Sequence, residues 1–100
     1  MSLTLEKITA DITPVVEIDT EAPAAYVGFS YNPVARTVVL RDDEILSTLD
    51  HDSNGNVIGI EVVWPTEFGI EKLIAESRAD VVLPPVAIKR TRYVPVKRSA

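Results

Sequence analysis

Two runs of alternating apolar and polar residues, separated by a short polar turn, occupy the middle of the chain. They span residues 44–64, and the turn between them contains the pair Asn54-Gly55. This pair is typical of a two-residue type I′ turn, in which both central residues have positive φ. The pattern therefore predicts a β-hairpin with Leu49 opposite Ile60.

The hairpin register assigns a face to each residue, because side chains alternate along a strand. The first face is predicted to hold His51 with Ile58, Leu49 with Ile60, Ser47 with Val62, and Ile45 with Trp64. The second, more polar face is predicted to hold Asp52 with Val57, Asp50 with Gly59, Thr48 with Glu61, and Leu46 with Val63. The first face is therefore expected to carry the core.

Three shorter segments before the hairpin are also typical of strands. They are Val15–Asp19, residues 24–31 and Arg36–Arg41, with a turn expected at residues 20–23. In the second of them, one face is predicted to hold Ala25, Val27, Phe29 and Tyr31. Residues 3–12 fit either a short helix or an extended arm, which Pro14 ends in both cases.

After Trp64 the apolar period changes from two residues to nearly 3.6, which predicts an amphipathic helix over residues 66–78. Thr66 is the predicted N-cap, and Glu67 lies in the first turn, where a carboxylate complements the helix dipole. The predicted buried stripe consists of Ile70, Leu73, Ile74 and Ser77. We expect this stripe to pack on the sheet face formed by Ile58, Ile60, Val62 and Trp64.

The C-terminal part is predicted to be extended, with a short piece at residues 81–83, a stiff break at Pro84-Pro85 and a β-prone arm over residues 86–97. Pro95 restricts this arm to a sheet edge, and we expect it to reach a second subunit. The predicted fold is α+β: an antiparallel sheet of four to five strands, a meander with a central hairpin, with one C-terminal helix packed on one face. The predicted divisions are an N-terminal arm or short helix (1–13), the sheet-plus-helix domain (14–80) and a basic arm (81–100).

Charge is distributed unevenly along the 100 residues, whose net charge is −5. Every Asp and Glu lies at or before Asp80, while half of the ten basic residues follow it: Lys89, Arg90, Arg92, Lys97 and Arg98. A basic tail of this kind is expected to lie on an acidic face of its own protein or of a neighbouring subunit. The alternative is weak nucleic-acid binding, in which Tyr93 joins the cations.

Composition narrows the class of protein further. Apolar residues make up 46% of the chain and cysteine is absent, which predicts one globular domain in a reducing, cytoplasmic setting. No apolar run is long enough for a membrane span, and no secretory signal is visible.

Two motifs resemble those of a small bacterial family of domains of unknown function. The first motif consists of Asp19, Glu21, Ala22, Ala24, Tyr26 and Val27, and the second of Asp50, Asp52, Asn54, Gly55, Asn56, Val57, Gly59, Ile60 and Glu61. The chain departs from the family at Pro23, where Asp is usual, and at His51, where an aromatic or aliphatic residue is common. The resemblance implies a compact sheet-and-helix domain without established chemistry, and an antitoxin-like binding role.

The polar turn also matches the spacing of a calcium-binding EF-hand loop, with Asp50, Asp52, Asn54 and Glu61 as oxygen ligands. An EF-hand loop lies between helices, whereas strands are predicted on both sides of this turn. Glu61 would then lie about 20 Å from Gly55 at about 3.3 Å per residue, too far to complete the site. A weak metal site formed by Asp50, Asp52 and Asn54 alone remains the alternative.

The sequence offers little support for catalysis. His51 is the only histidine, and neither a nucleophile elbow nor a glycine-rich phosphate loop is present. The chain is therefore predicted to be a non-catalytic protein-interaction module without a cofactor, either a homodimer or a partner of another small protein. The predicted contact residues are Glu61, Tyr26, Arg90, Arg92 and Tyr93, with Gly59 leaving a gap beside Glu61 for a partner's side chain or a neighbouring strand.

Overall fold

Eight strands and two short helices make up the computed structural model, which describes residues 6–7, 13–41, 46–77, 79 and 81–97. In chain order they are β1 (Glu6–Lys7), β2 (Val15–Asp19), β3 (Ala24–Gly28), β4 (Arg36–Arg41), β5 (Leu46–His51), β6 (Val57–Val63), α1 (Ile70–Ser77), β7 (Val81–Val82), α2 (Pro85–Arg90) and β8 (Arg92–Val96). Among the described residues, no helix is both long enough and apolar enough to cross a membrane.

The main sheet has six strands in the order β4-β5-β6-β3-β2-β8. Its strands are antiparallel except for β8, which runs parallel to β2, and a separate parallel pair joins β1 to β7. The predicted combination of a sheet with a packed helix is confirmed, but the sheet is mixed and larger than predicted. Only β4, β5 and β6 form a meander, because the chain crosses from β3 to the far edge before β4 and then returns to pair β6 with β3.

The central hairpin is formed by β5 and β6, and its predicted pairs Leu49 with Ile60 and Ser47 with Val62 are confirmed. The predicted type I′ turn is wrong, because Gly55 (φ 85°) is the one residue of the turn with positive φ. Hydrogen bonds from Asp52 N to Asn56 O (3.0 Å) and from Gly55 N to Asp52 O (3.1 Å) instead enclose a three-residue loop. This is a type I turn followed by a left-handed glycine.

A β-bulge next to the turn restores the predicted register. His51 pairs with Val57 and not with Ile58, whereas Asp50 pairs with Gly59, so Ile58 is an extra residue on β6. The Ile58 carbonyl accepts a hydrogen bond from the Phe29 N–H at 2.9 Å. The extra loop residue and the extra strand residue cancel, which explains why the pairs farther from the turn are as predicted.

The core lies between one face of the main sheet and α1, as predicted. On the sheet side, the most deeply buried residues are Val16, Val27, Leu49, Ile60 and Val62. Helix α1 contributes Ile70 and Leu73, and Val81 of β7 joins the same cluster. Burial of this apolar area stabilises the fold by about 25 cal/mol per Å² removed from water.

Trp64 of the predicted core face and Tyr31 of the strand predicted over residues 24–31 are both on the surface. Trp64 is 64% exposed and has a φ of 60°, so it follows β6 in a left-handed conformation rather than extending the strand. Its N–H donates to the Pro23 carbonyl at 2.6 Å, where the chain leaves the sheet. Tyr31 is fully exposed because β3 ends at Gly28, and Phe29 is the last buried residue of that segment.

Helix α1 begins four residues later than predicted, at Ile70, and Thr66 is not its N-cap. The Thr66 side chain and its N–H are hydrogen-bonded to the Glu76 carboxylate, which fixes the chain before the helix against the helix itself. The Ile70 N–H is instead satisfied by the phenol oxygen of Tyr93, at 3.0 Å.

The prediction of an extended chain over residues 86–97 is wrong for its first part, which forms α2. Pro85 occupies the first turn, where its fixed φ and missing N–H suit a helix, and the Pro84 carbonyl accepts from Ala87 N at 3.0 Å. The remainder forms β8, and the predicted edge position of Pro95 is confirmed. Of residues 3–12, Glu6 and Lys7 form a strand; the rest lie outside the described residues, as does Ile45.

Candidate interaction site

The face of the main sheet opposite α1, called the open face below, carries most of the predicted contact residues. Its members follow from the strand register, and all except Gly59 are half-buried or exposed where their burial is described. They are Thr37, Val39, Leu46, Thr48, Asp50, Gly59, Glu61, Val63, Ala24, Tyr26, Gly28, Val15, Glu17, Asp19, Arg92, Val94 and Val96. The face therefore mixes valines with four carboxylates, a tyrosine and an arginine.

Tyr26 lies near the centre of the open face and joins three strands. Its hydroxyl donates to Asp50 Oδ2 at 2.9 Å, and the other oxygen of Asp50 accepts from the Thr37 hydroxyl at 2.7 Å. The ring crosses Gly59, since a Cβ at that position would lie 1.8 Å from the Tyr26 hydroxyl. The gap predicted at Gly59 is therefore filled by a side chain of the same protein.

Glu61 is the cross-strand neighbour of Tyr26, a contact that the sequence did not predict. In the register it lies between Thr48 of β5 and Tyr26 of β3, and Glu17 of β2 lies on the other side of Tyr26. Glu17, Asp19, Tyr26 and Glu61 surround a small depression with Ala24. This part of the open face is acidic.

The polar turn is organised by Asp52, which is buried. Its Oδ1 accepts from the N–H groups of Asn54 (2.9 Å) and Asn56 (3.0 Å), and its Oδ2 accepts from the side-chain amides of Asn32 (3.3 Å) and Asn56 (3.4 Å). These donors stabilise the charged carboxylate, the N–H of Asn56 most of all, and hold the pKa of Asp52 below its ordinary value.

Two of the three predicted metal ligands, Asp50 and Asp52, accept hydrogen bonds from other groups of the protein. Asp52 binds Asn54 through the backbone of Asn54, and both carboxylate oxygens of Asp50 accept hydrogen bonds from Tyr26 and Thr37. In the part of the chain that the structure describes, no three His, Asp or Glu residues are grouped as metal ligands would be. His51 is buried, and its Nδ1 has no hydrogen-bond partner among the described residues.

The three predicted contact residues of the basic tail point in different directions. Arg90 lies exposed in the last turn of α2, Arg92 lies on the open face, and Tyr93 lies on the core side of β8, where its hydroxyl caps α1. Lys97 forms an ion pair with Glu21 of its own chain at 3.4 Å. These residues do not form one continuous cationic and aromatic strip.

A groove of about 870 Å³ lies at the end of the open face where β2, β3 and β8 meet. Its floor is formed by Val15, Gly28 and the Tyr26 ring, and Arg92 and Glu17 lie along it. The remaining lining residues are Thr13, Phe29, Ser30, Tyr31 and Asn32. Most of these residues were not among the predicted contact residues, because the groove depends on the pairing of β8 with β2, which joins distant parts of the chain.

The edges of the main sheet differ in their protection. At one edge, β8 contains Pro95, which cannot donate a ladder hydrogen bond. At the other edge, β4 has six residues, and no strand within the described ranges pairs with its outer side. Val39, in the middle of β4, is 58% exposed. The unprotected edge is therefore that of β4 and not that of the C-terminal segment.

One contact in this site has a sequence signature. A glycine inside a strand is often covered by an aromatic residue of a neighbouring strand, so Gly59 and Tyr26 form a recognisable combination. To predict the contact between these two residues, one must know that β3 pairs with β6, and the periodicity of the sequence does not show this pairing. The predicted pairing of Asp50 with Gly59 is confirmed, whereas its hydrogen bonds to Tyr26 and Thr37 were not predicted.

Comparisons of the chain with models of protein families, with curated proteins and with solved structures find no match. The resemblance to the family of unknown function stays a prediction.

Proposed function

We propose that this protein is a non-catalytic interaction module that pairs the free edge of β4 with an extended strand of a second protein molecule. The observation that carries the proposal is the unpaired outer side of this six-residue strand within the described residues. An edge strand presents a row of backbone donors and acceptors, and addition of another strand satisfies them.

The sequence of β4 favours pairing. Between Arg36 and Arg41 it consists of Thr37, Val38, Val39 and Leu40, all of which are common in strands. It contains no proline or lysine, and its pairing with β5 has no irregularity. Proline, lysine and β-bulges protect edge strands in other proteins, and proline does so at β8.

A second copy of the chain is the partner we favour. In an antiparallel pair of β4 strands centred on Val39, Arg41 faces Thr37 of the second copy, and the exposed valines face each other. A pair centred between Val38 and Val39 would instead place Arg36 opposite Arg41, which like charges disfavour. Pairing of this kind at β4 would join the six-stranded sheets of two protomers into one continuous sheet.

The expected affinity is modest. Each cross-strand pair contributes roughly 0.2–1 kcal/mol, and a single added strand buries less than the roughly 1,600 Å² of a standard interface. The dimer is therefore expected to dissociate on dilution through the micromolar range.

The test is the oligomeric state of Val39→Lys, measured by sedimentation equilibrium over a range of concentrations. Val39 is exposed, so the substitution should leave the unfolding midpoint unchanged while the added charge on the edge abolishes dimerisation. Val82→Lys is the matched control, because Val82 is an exposed valine of β7 outside the main sheet. A wild-type protein that is monomeric at all concentrations, or equal loss of dimer in both variants, would contradict the proposal.

A further inference from the structure

We infer that the groove at the junction of β2, β3 and β8 binds a small, flat molecule that carries a carboxylate, with Arg92 as the residue that contacts the anion. This site lies at the opposite end of the strand order from β4, so it is independent of the proposed strand pairing.

The first argument is that Arg92 is exposed and has no ion-pair partner among the described residues. Its side chain is exposed on the groove and forms no ion pair with any described residue, although the chain has 15 acidic residues and a net charge of −5. A guanidinium group presents a planar set of donors that matches the two oxygens of a carboxylate. The guanidinium group of Arg92 is therefore available to an anionic ligand.

The polarity of the groove sets the orientation of the ligand. Arg92 is opposite Val15 in the register, and Glu17 lies two residues farther along β2, towards Tyr26. At the Arg92 end, Thr13 and Ser30 supply hydroxyl groups; the Ser30 oxygen accepts the Asn32 N–H at 3.1 Å, which leaves its own proton to donate. The carboxylate is expected at this end, away from Glu17.

The floor of the groove explains the preference for a flat body. Gly28 has no side chain, so the backbone between Val15 and the Tyr26 ring is open to a close approach. The groove volume of about 870 Å³ lies within the roughly 300–1,000 Å³ that is usual for small-molecule sites. An aromatic ring placed over Gly28 contacts the valine and the tyrosine on either side.

The probe is benzoate, titrated into the full chain labelled with nitrogen-15 and followed by amide chemical shifts. Benzamide, a neutral molecule of the same shape, tests the charge, and inorganic phosphate tests an anion without a flat body. We expect saturable shifts at Gly28 and Ser30 with benzoate, and much weaker binding of benzamide and phosphate.

Two substitutions separate the contributions of charge and shape. Arg92→Gln should weaken benzoate binding about tenfold or more, the loss expected for a charge-assisted contact, whereas Arg90→Gln should not change it because Arg90 does not line the groove. Gly28→Ala should weaken binding without lowering the unfolding midpoint. The midpoint should not fall because the added Cβ would lie 3.7 Å from its nearest neighbour, Cε1 of Tyr26, and because the φ of Gly28 is not positive.

Four results would overturn the inference. The first three are the absence of saturable shifts at the groove, equal binding of benzamide and benzoate, and equal losses in Arg92→Gln and Arg90→Gln. Phosphate binding as tight as that of benzoate and unaffected by Gly28→Ala would also reject a flat ligand.

Discussion

Substitution of Gly59 by alanine tests the arrangement at the centre of the open face. A Cβ at this position would lie 1.8 Å from the Tyr26 hydroxyl and 2.5 Å from Cζ, so the tyrosine must move away. The movement breaks the hydrogen bond to Asp50, which is charge-assisted and partly buried. Loss of such a bond costs about 1.5–3 kcal/mol, and the partial exposure places the expected value near the lower end.

The assay is urea denaturation followed by circular dichroism. A loss of about 1.5–2 kcal/mol corresponds to a decrease in Tm of roughly 6–16 °C for a domain of this size. The slope of the unfolding free energy against urea concentration should not change. Gly28→Ala is the control, because it adds the same methyl group to the same face, and its closest neighbour there is 3.7 Å away.

A double-mutant cycle assigns the loss to the tyrosine. In a Tyr26→Ala background the obstruction is absent, so Gly59→Ala should be neutral or should stabilise by up to about 1 kcal/mol through reduced backbone entropy of the unfolded chain. An equal cost of Gly59→Ala with and without Tyr26 would refute this account of the open face.

Two further predictions concern the turn and the helix. Asp52→Asn should destabilise the protein at neutral pH. Because folding lowers the pKa of Asp52, the contribution of its charge is present above the ordinary value of 3.8 and is lost as pH falls through the lower, folded value. The difference in unfolding free energy between wild type and Asp52→Asn should therefore shrink in acid, and an unchanged difference would contradict the hydrogen-bond pattern. Tyr93→Phe should cost about 0.5–1.5 kcal/mol in urea denaturation, because it leaves the Ile70 N–H without its acceptor. Tyr31→Phe, at a fully exposed position, should be neutral in the same assay.

Local patterns in the sequence determine much of the fold. The bounds of β2 and β4 match the predicted segments, and Leu49 and Ile60 pair as expected. Alternation and turn chemistry depend on near neighbours, so they can be evaluated from the sequence alone. The same reasoning located Ile70 and Leu73 on the buried stripe of α1.

The errors occur where distant residues decide the local structure. Thr66 is a good N-cap by type, but Glu76 binds it, and the first helical N–H is satisfied by Tyr93 from the end of the chain. The parallel pairing of β8 with β2 joins segments more than seventy residues apart, and no periodicity reports it. The site was predictable to the extent of Tyr26 and Glu61, whereas the groove depends on this same non-local pairing.

The β-bulge at Ile58 has a consequence for insertions and deletions. The extra residue of the loop and the extra residue of β6 both lie on the turn side of the Asp50 and Gly59 pair, from which the regular ladder continues. Deletion of one loop residue leaves a two-residue loop, and deletion of Ile58 leaves a regular strand, so either change keeps the pairs from Asp50 and Gly59 outward. Single-residue deletions at these two positions are therefore expected to keep the side chains of β5 and β6 on their present faces.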